Sequence, residues 1–359
     1  MDISMPVVWS DLHRHHEPGG EVWIGVRTPG TELPARAERI LATLEAAGAP
    51  LVAAGEHGDA EALRLHDPGL VDYLETAWDR WRGAGLDADP GQDRVVPYVF
   101  PTPALLAGLA PAVPAAAAAR AGSFAYDTMT LIGPGTWEAA RGAVDAALTA
   151  AGLVAGGEPA AYACCRPPGH HATATGFGGS CYLNNAAAAA AHLRDELGGP
   201  VAVLDVDAHH GNGTQAIFYE TPDVLVGSVH VDPGAGWFPH FLGFASEEGA
   251  GSGRGANRNL PLAPGSGDEP WLEAIATLCE WARGAGAGGL VVPLGVDAAG
   301  GDPESPLRVS ADGFVAAGHL LGALGLPTVL VQEGGYDLEA IGGLVAATLS
   351  GFEEAQASR

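Results

Sequence analysis

Two acids and a histidine at alternate positions close an apolar run of the chain. VAVLDVD runs into AHHGNGT, so Asp205, Asp207 and His209 share one side of the backbone while it stays extended. A further acid, Asp297, ends the run LVVPLGVD. One histidine with two carboxylates makes three protein ligands with a position left open, the layout of a catalytic rather than a closed structural metal site. Zinc is the usual occupant, and an oxygen-rich set of this kind also suits Fe(II) or Co(II).

Two other polar groups follow apolar runs. After AYACC comes Arg166-Pro167-Pro168-Gly169-His170-His171, where the prolines stiffen the loop, the glycine lets it turn, and two imidazoles stand side by side. A histidine beside a metal-activated water can take a proton and return it near neutral pH. After TVLVQ comes Glu333-Gly334-Gly335-Tyr336, and a phenol on a glycine-rich turn can donate a hydrogen bond to a developing oxyanion. Metal, base and oxyanion donor together describe the metal-assisted hydrolysis of an amide.

The elements that must carry these residues are legible as β-branched runs alternating with alanine-rich helical stretches, the pattern of parallel strands covered by helices on both faces. Strands are predicted at 6–9, 51–54, 160–165, 201–207, 224–230, 290–297 and 328–333. Helices are predicted at 35–47, 136–151, 184–197, 269–283 and 312–324. In an open α/β sheet, ligands bind beyond the carboxyl ends of the strands, and each candidate group falls at such an end. Residues 84–122, with Pro90, Pro97, Pro101, Pro103, Pro111, Pro114 and an alanine run, break the alternation and read as a long loop for a substrate channel or a partner subunit. The stretch GAGSGRG at 249–255 reads as a flexible loop, and His13, His15 and His16 follow the first strand, at the pocket or on the surface. No linker divides the chain, so residues 1–359 are expected to form one domain with an insertion at about 84–122.

Composition removes several classes of function. Acidic residues outnumber basic ones 43 to 17, a net charge of −26, which repels nucleic acid and anionic membrane surfaces alike. The sequence contains no lysine, so neither a Schiff base nor a Walker-type phosphate lysine is available. Cys164, Cys165, Cys181 and Cys279 show no CxxC spacing and are expected to be reduced. The first residues lack the form of a leader and no apolar stretch is of spanning length, so a cytoplasmic protein is expected.

Taken in order, RPPGHHA at 166–172, GFGGSCYLNNAA at 176–187, DVDAHHGNGTQ at 205–215, LGVD at 294–297 and EGGYDL at 333–338 make the chain resemble zinc-dependent deacetylases of the histone deacetylase type, class II, in the arginase and deacetylase superfamily. LETAWDRWRGAG at 74–85, IGPGTWEAA at 132–140 and FPHFLGFASEEGAGSG at 238–253 make it similar, within that group, to the bacterial acetylpolyamine amidohydrolases. The arginase branch has an aspartate where this chain has Gly211, which speaks against a dimanganese ureohydrolase.

The resemblance implies a single α/β domain with a central, mostly parallel sheet of about eight strands. It implies zinc on Asp207, His209 and Asp297, with His171 as general base and acid. His170, oriented by Asp205, would stabilise charge beside it. Tyr336 would polarise the carbonyl, and the Gly179 carbonyl would accept the substrate N–H. Asn212 stands behind the second histidine, where some relatives carry aspartate. A structural potassium is implied at Asp205, Asp207, His209, Ser228 and Val229, and a second monovalent site at Phe218, Thr221 and Val224.

Two departures bear on substrate. Ser180 replaces an aromatic wall residue, leaving Trp237 or Phe238 for the other side of the channel. Ala118 and Met129 stand where acids are expected to receive a cationic amine, with only Asp127 nearby. The sequence therefore reads as a deacetylase of acetylpolyamines or similar small N-acetyl amines, acting as a homodimer. A deacylase of acetyl-lysine or another acyl amide, and a catalytically silent acyl-amine binding protein, are the alternatives.

Overall fold

Alternate side chains of the strands leave the sheet on opposite faces, and that alternation builds two cores. In the strand Val201–Asp205, Val201 and Val203 join Ala187, Ala190 and Ala191 of the helix Asn185–Leu197 on one face. Ala202 and Leu204 join Trp271 and Leu278 of the helix Asp268–Gly284 on the other. Thr328–Gln332 repeats the pattern, with Val329 and Val331 to the first face and Leu330 to the second. The first face is covered by alanine-rich helices, Thr136–Ala155 and Asn185–Leu197, whose small side chains fill the space against valine. Larger residues, among them Ile40, Phe314 and Phe352, pack the second.

The computed structural model describes residues 2–88 and 92–358. Pro90 of the proline-rich excursion and the two terminal residues of the expected domain lie outside them. In chain order the strands are β1 Val7–Trp9, β2 Glu21–Trp23, β3 Val26–Thr28, β4 Leu51–Ala53, β5 Ala160–Ala163, β6 Val201–Asp205, β7 Val224–Val231, β8 Asn257–Leu262, β9 Gly289–Leu294 and β10 Thr328–Gln332. Eight of them form one sheet in the order β4-β1-β5-β10-β9-β6-β7-β8, parallel at every pairing. The carboxyl ends therefore share one edge, and the loops after β1, β5, β6, β7, β9 and β10 meet above it.

The seven predicted strands are present, several of them shorter. β6 stops at Asp205 and β9 at Leu294, so Asp207, His209 and Asp297 stand in the loops beyond rather than on the strands. β8 escaped prediction because NRNLPL has no apolar alternation; as an edge strand it tolerates Pro261. The hairpin β2–β3 turns through Ile24 and Gly25 with φ of 48° and 78°, and isoleucine in that conformation hides the usual turn signal. The helices Pro68–Gly83 and Ile341–Ala357 also lie outside the predicted set.

Residues 84–88 and 92–122 contribute no strand to the eight-stranded sheet and carry short helices at Pro103–Leu106 and Ala117–Arg120. The glycine-rich stretch 249–255 is not a loose loop: a Cβ on Gly253 would lie 2.7 Å from the backbone of Glu220 and Thr221, so it is wedged against its neighbours. No helix among the described residues is long and apolar enough to cross a membrane.

Candidate active site

One ligand atom from each of Asp207, His209 and Asp297 can be chosen so that all lie within 4.8 Å of one another. Their orientation is set by the backbone. Asp207 Oδ2 accepts the Gly334 N–H at 2.7 Å and its Oδ1 accepts the His209 N–H at 2.8 Å, while Asp297 Oδ1 accepts the Ala208 N–H at 2.9 Å. His209 Nδ1 lies 3.0 Å from Asp297 Oδ2. Only glycine can stand at 334, since a Cβ there would come within 2.4 Å of Asp297 Oδ2 and 2.6 Å of Asp207 Oδ2.

Both carboxylates are buried. Burial and the Asp207 charge push Asp297 up to about 7, while burial of His209 is outweighed by the two carboxylates, which hold it protonated well above its ordinary range. No arginine lies within 4 Å of either carboxylate among the described residues. Two buried acids beside one imidazole, with no arginine against them, are a ligand set that fits a divalent cation.

The two histidines of the β5 loop lie against this group, their rings 4.0 Å apart. His170 Nδ1 is 2.9 Å from Asp205 Oδ2. Burial of His170 is outweighed by Asp205 and Asp207, which raise it to about 10; His171, desolvated and beside charged His170, is held well below the usual histidine range. His171 Nδ1 faces Asn212 Oδ1 at 2.7 Å. A neutral amide oxygen can only accept, so Nδ1 carries the proton and Nε2 keeps its lone pair.

Tyr336 is placed by Asp302, whose Oδ2 accepts its backbone N–H at 2.7 Å. The Arg36 guanidinium lies 4.6 Å from the centre of its ring and donates to the carbonyls of Gly335 and Glu333 at 2.6 and 2.5 Å. Burial keeps the phenol protonated.

A cavity of about 380 Å³ is lined by His171, His209, Tyr336, Gly179, Ser180, Trp237 and Phe238, and also by Met129, Trp23, Glu21 and Glu304. His170, Asp205 and Asn212 stand behind this wall, and Asp207 and Asp297 lie buried beneath it. Phe238 packs edge-on to His171 at 4.8 Å. Gly179 (φ 56°) donates its N–H to Asp127 Oδ2 at 2.6 Å, and a Cβ there would strike His171 Cδ2 at 2.4 Å. Ser180 lines the cavity, and Trp23 adds an aromatic wall that was not expected. Ala118 is not among the lining residues; Met129 is. Asp127 is committed elsewhere, since it also accepts the N–H groups of Met129 and Thr130. His13 and His16 are buried outside the cavity, and His15 is exposed.

Ser228 is the sheet partner of Asp205, with Val229 next on β7. The Phe218 carbonyl, at the end of the helix Asn212–Phe218, accepts the Thr221 N–H at 2.9 Å, and Val224 opens β7.

Sequence reasoning missed Arg36, Glu333, Asp302, Glu21 and Glu304. Glu333 is buried and accepts the N–H groups of Gly169 and His170 at 2.6 and 3.0 Å, tying the β10 turn to the histidine loop. Its place at the end of TVLVQ was a signal; Arg36 lies within the predicted helix 35–47, where nothing local marks its role, and Glu21, Asp302 and Glu304 lie in segments with no local pattern.

A parallel sheet carrying an Asp, Asp, His group, paired imidazoles and a phenol at adjacent strand ends defines a metal-dependent deacetylase of the arginase/deacetylase fold. The histone deacetylase domain matches residues 30–352, and the chain belongs to that family of amidohydrolases. It is 41% identical to the acetylpolyamine amidohydrolase of Mycoplana ramosa over 97% of this chain and 99% of that one. Acetylpolyamine amidohydrolase 1 of Pseudomonas aeruginosa is likewise 41% identical over 97% of this chain and 99% of its own length. The crystal structure of an acetylpolyamine aminohydrolase from Burkholderia pseudomallei superposes with a TM-score of 0.88 at 38% identity, covering 98% of this chain and 99% of that one.

Proposed function

We propose that this chain hydrolyses N-acetylated amines, acetylpolyamines or small relatives of them, to acetate and the free amine. The observation that carries the reading is that His171, His209 and Tyr336 line one cavity above a buried pair of acids. Asp207, His209 and Asp297 would hold the metal, in this family typically zinc. Zinc bound there supplies Lewis acidity, lowering the pKa of water and polarising the acetyl carbonyl.

The protein groups divide the remaining work. His171, neutral with Nε2 free, takes the proton of the attacking water and passes it to the leaving nitrogen. His170, charged and fixed by Asp205, offsets negative charge beside it. Tyr336 donates its hydroxyl hydrogen to the developing oxyanion, and the Gly179 carbonyl receives the substrate N–H. Potassium at Asp205, Asp207, His209, Ser228 and Val229 would stabilise the loops, and Phe218, Thr221 and Val224 are the second monovalent candidate.

The test is a panel of acetylputrescine, acetylspermidine, acetylcadaverine and acetyl-lysine peptides, with Tyr336→Phe as control. The wild type should prefer the free amines, and Tyr336→Phe should lose on the order of 100-fold in kcat while keeping its metal. A tenfold preference for the peptide would place the chain among general lysine deacetylases.

A further inference from the structure

We infer that Gln215 and Glu247 are the positioning residues of the channel's aromatic wall, joining the stretch that carries Trp237 and Phe238 to the same helix that orients His171. The inference rests on the deacetylase reading above and extends it to residues that do not touch substrate. Neither side chain lines the cavity.

The wall needs an anchor. It lies in the stretch 236–247, between the turn Pro233–Ala235 and β8, and the bonds of its N–H groups to other backbone stay local among the described residues. Gly236 reaches the Pro233 carbonyl, His240 that of Trp237, Phe241 that of Pro239 and Glu247 that of Phe244, so no strand or helix pairs with it. Side chains of the sheet edge hold it instead. The His230 Nε2 atom on β7 donates to the Gly243 carbonyl at 2.8 Å, which leaves Nδ1 to accept the Ser228 hydroxyl at 2.8 Å. From β8, Asn257 Nδ2 donates to the Glu247 carbonyl at 2.7 Å and Asn259 Nδ2 to the Phe244 carbonyl at 3.3 Å. Gly243, with φ of 105°, has no room for a side chain, since a Cβ would come within 2.8 Å of the His210 ring.

One contact closes this network. Gln215 is buried, and its Oε1 accepts Asn257 Nδ2 and Asn259 Nδ2 at 2.9 Å each and His210 Nε2 at 3.1 Å, which leaves Nε2 to donate to Glu247 Oε2 at 2.6 Å. The other Glu247 oxygen accepts the Gly243 and Phe244 N–H groups at 3.1 and 3.2 Å. Only a carboxylate offers acceptors on both sides; an amide at 247 would turn its NH2 against one set of donors. Gln215 stands one turn along the helix Asn212–Phe218 from Asn212, whose Oδ1 faces His171 Nδ1 at 2.7 Å, and Phe238 packs edge-on to the same imidazole at 4.8 Å. One short helix thus sets both the base and the wall that flanks it.

The experiment measures kcat and KM on the zinc-loaded full chain for N-acetyl-1,4-diaminobutane and for N-butylacetamide, the same acetamide without the second amine. Glu247→Gln and Gln215→Glu break the contact from its two sides with opposite changes of charge. We expect both to raise KM for both substrates roughly fivefold or more, with kcat and bound metal held within about twofold, the signature of lost uniform binding. In a Phe238→Ala background, where the wall is already gone, Glu247→Gln should move KM by less than about twofold. A KM for N-butylacetamide within about twofold of wild type in both variants, a loss confined to kcat, or equal losses with and without Phe238 overturns the inference and leaves the deacetylase reading standing. Hydrolysis of neither substrate by the wild type overturns both.

Discussion

The Nδ1 atom of His171 and the Oδ1 atom of Asn212 lie 2.7 Å apart, and this one contact decides which nitrogen of the imidazole is free to act as a base. Because the partner is an amide rather than a carboxylate, it fixes the tautomer without adding charge.

Replacing Asn212 with leucine keeps the volume and removes the acceptor, so the ring loses its preferred tautomer. We expect kcat to fall on the order of 100-fold with bound metal unchanged. Steady-state kinetics with elemental analysis checks this; a variant that keeps its kcat would detach Asn212 from the base.

Metal removal should have two readouts. Prolonged chelation should abolish hydrolysis, with zinc or cobalt restoring it. It should also lower the melting temperature, because Asp207 and Asp297 are then left buried together without a cation. Full turnover by metal-free protein would refute the assignment of Asp207, His209 and Asp297.

How much of this was legible depends on how local each signal is. The ligand and histidine motifs are contiguous and end apolar strands, so β5, β6, β9 and β10 revealed the groups at their ends. Arg36, Asp302 and Glu304 act by reaching across the fold: Arg36 sits on the helix Pro34–Ala46 yet bonds the carbonyls of Glu333 and Gly335. Nothing near residue 36 in sequence announces that pairing. Ser180 and Met129 both line the cavity, but the acids at 21 and 304 were invisible because a hairpin with isoleucine in its turn and a loop of small residues give no periodic signal.

Glu32 should be a large stability determinant. Its carboxylate accepts Arg36 Nη1 at 2.9 Å and Arg166 Nε and Nη2 at 2.8 and 3.0 Å, all three residues being buried. Glu32→Gln strands two guanidinium charges and should cost about 3–5 kcal/mol in urea unfolding at neutral pH. Burial alone would raise the pKa of Glu32, but Arg166 and Arg36 outweigh it and hold it below the ordinary value. A depressed folded pKa means that this stability is present above the unfolded glutamate pKa of about 4.3 and is lost as pH falls through the folded value. The variant should therefore show a weaker acid dependence than the wild type; an identical one would refute the charge account.

The excursion exposes Tyr98 (74%), Leu105 (64%) and Leu109 (76%), and the homodimer expected from the sequence would cover them. Light scattering should give twice the 36.3 kDa of the chain, and Leu105→Glu with Leu109→Glu should give the monomer. A monomeric wild type would remove the excursion from any role in assembly.

The acidic pair in the channel predicts a pH dependence with a definite sign. Glu21 is raised to about 7 by burial, then by the charges of Glu304 and Asp127, against a hydrogen bond with Thr28 that lowers it. Below that pH it is protonated and cannot attract an ammonium; above it the Glu21 carboxylate is charged, while the substrate amine, with a pKa of about 10, keeps its proton. The KM for N-acetyl-1,4-diaminobutane should thus fall roughly five- to tenfold between pH 6 and pH 8, the change in ionised fraction of a group titrating near 7. N-butylacetamide, tested in the same buffers, controls for titrations elsewhere in the site, so the informative quantity is the ratio of the two KM values. In Glu21→Gln that ratio should become flat with pH. A ratio already flat in the wild type would mean that Glu21 does not meet the amine in its charged form.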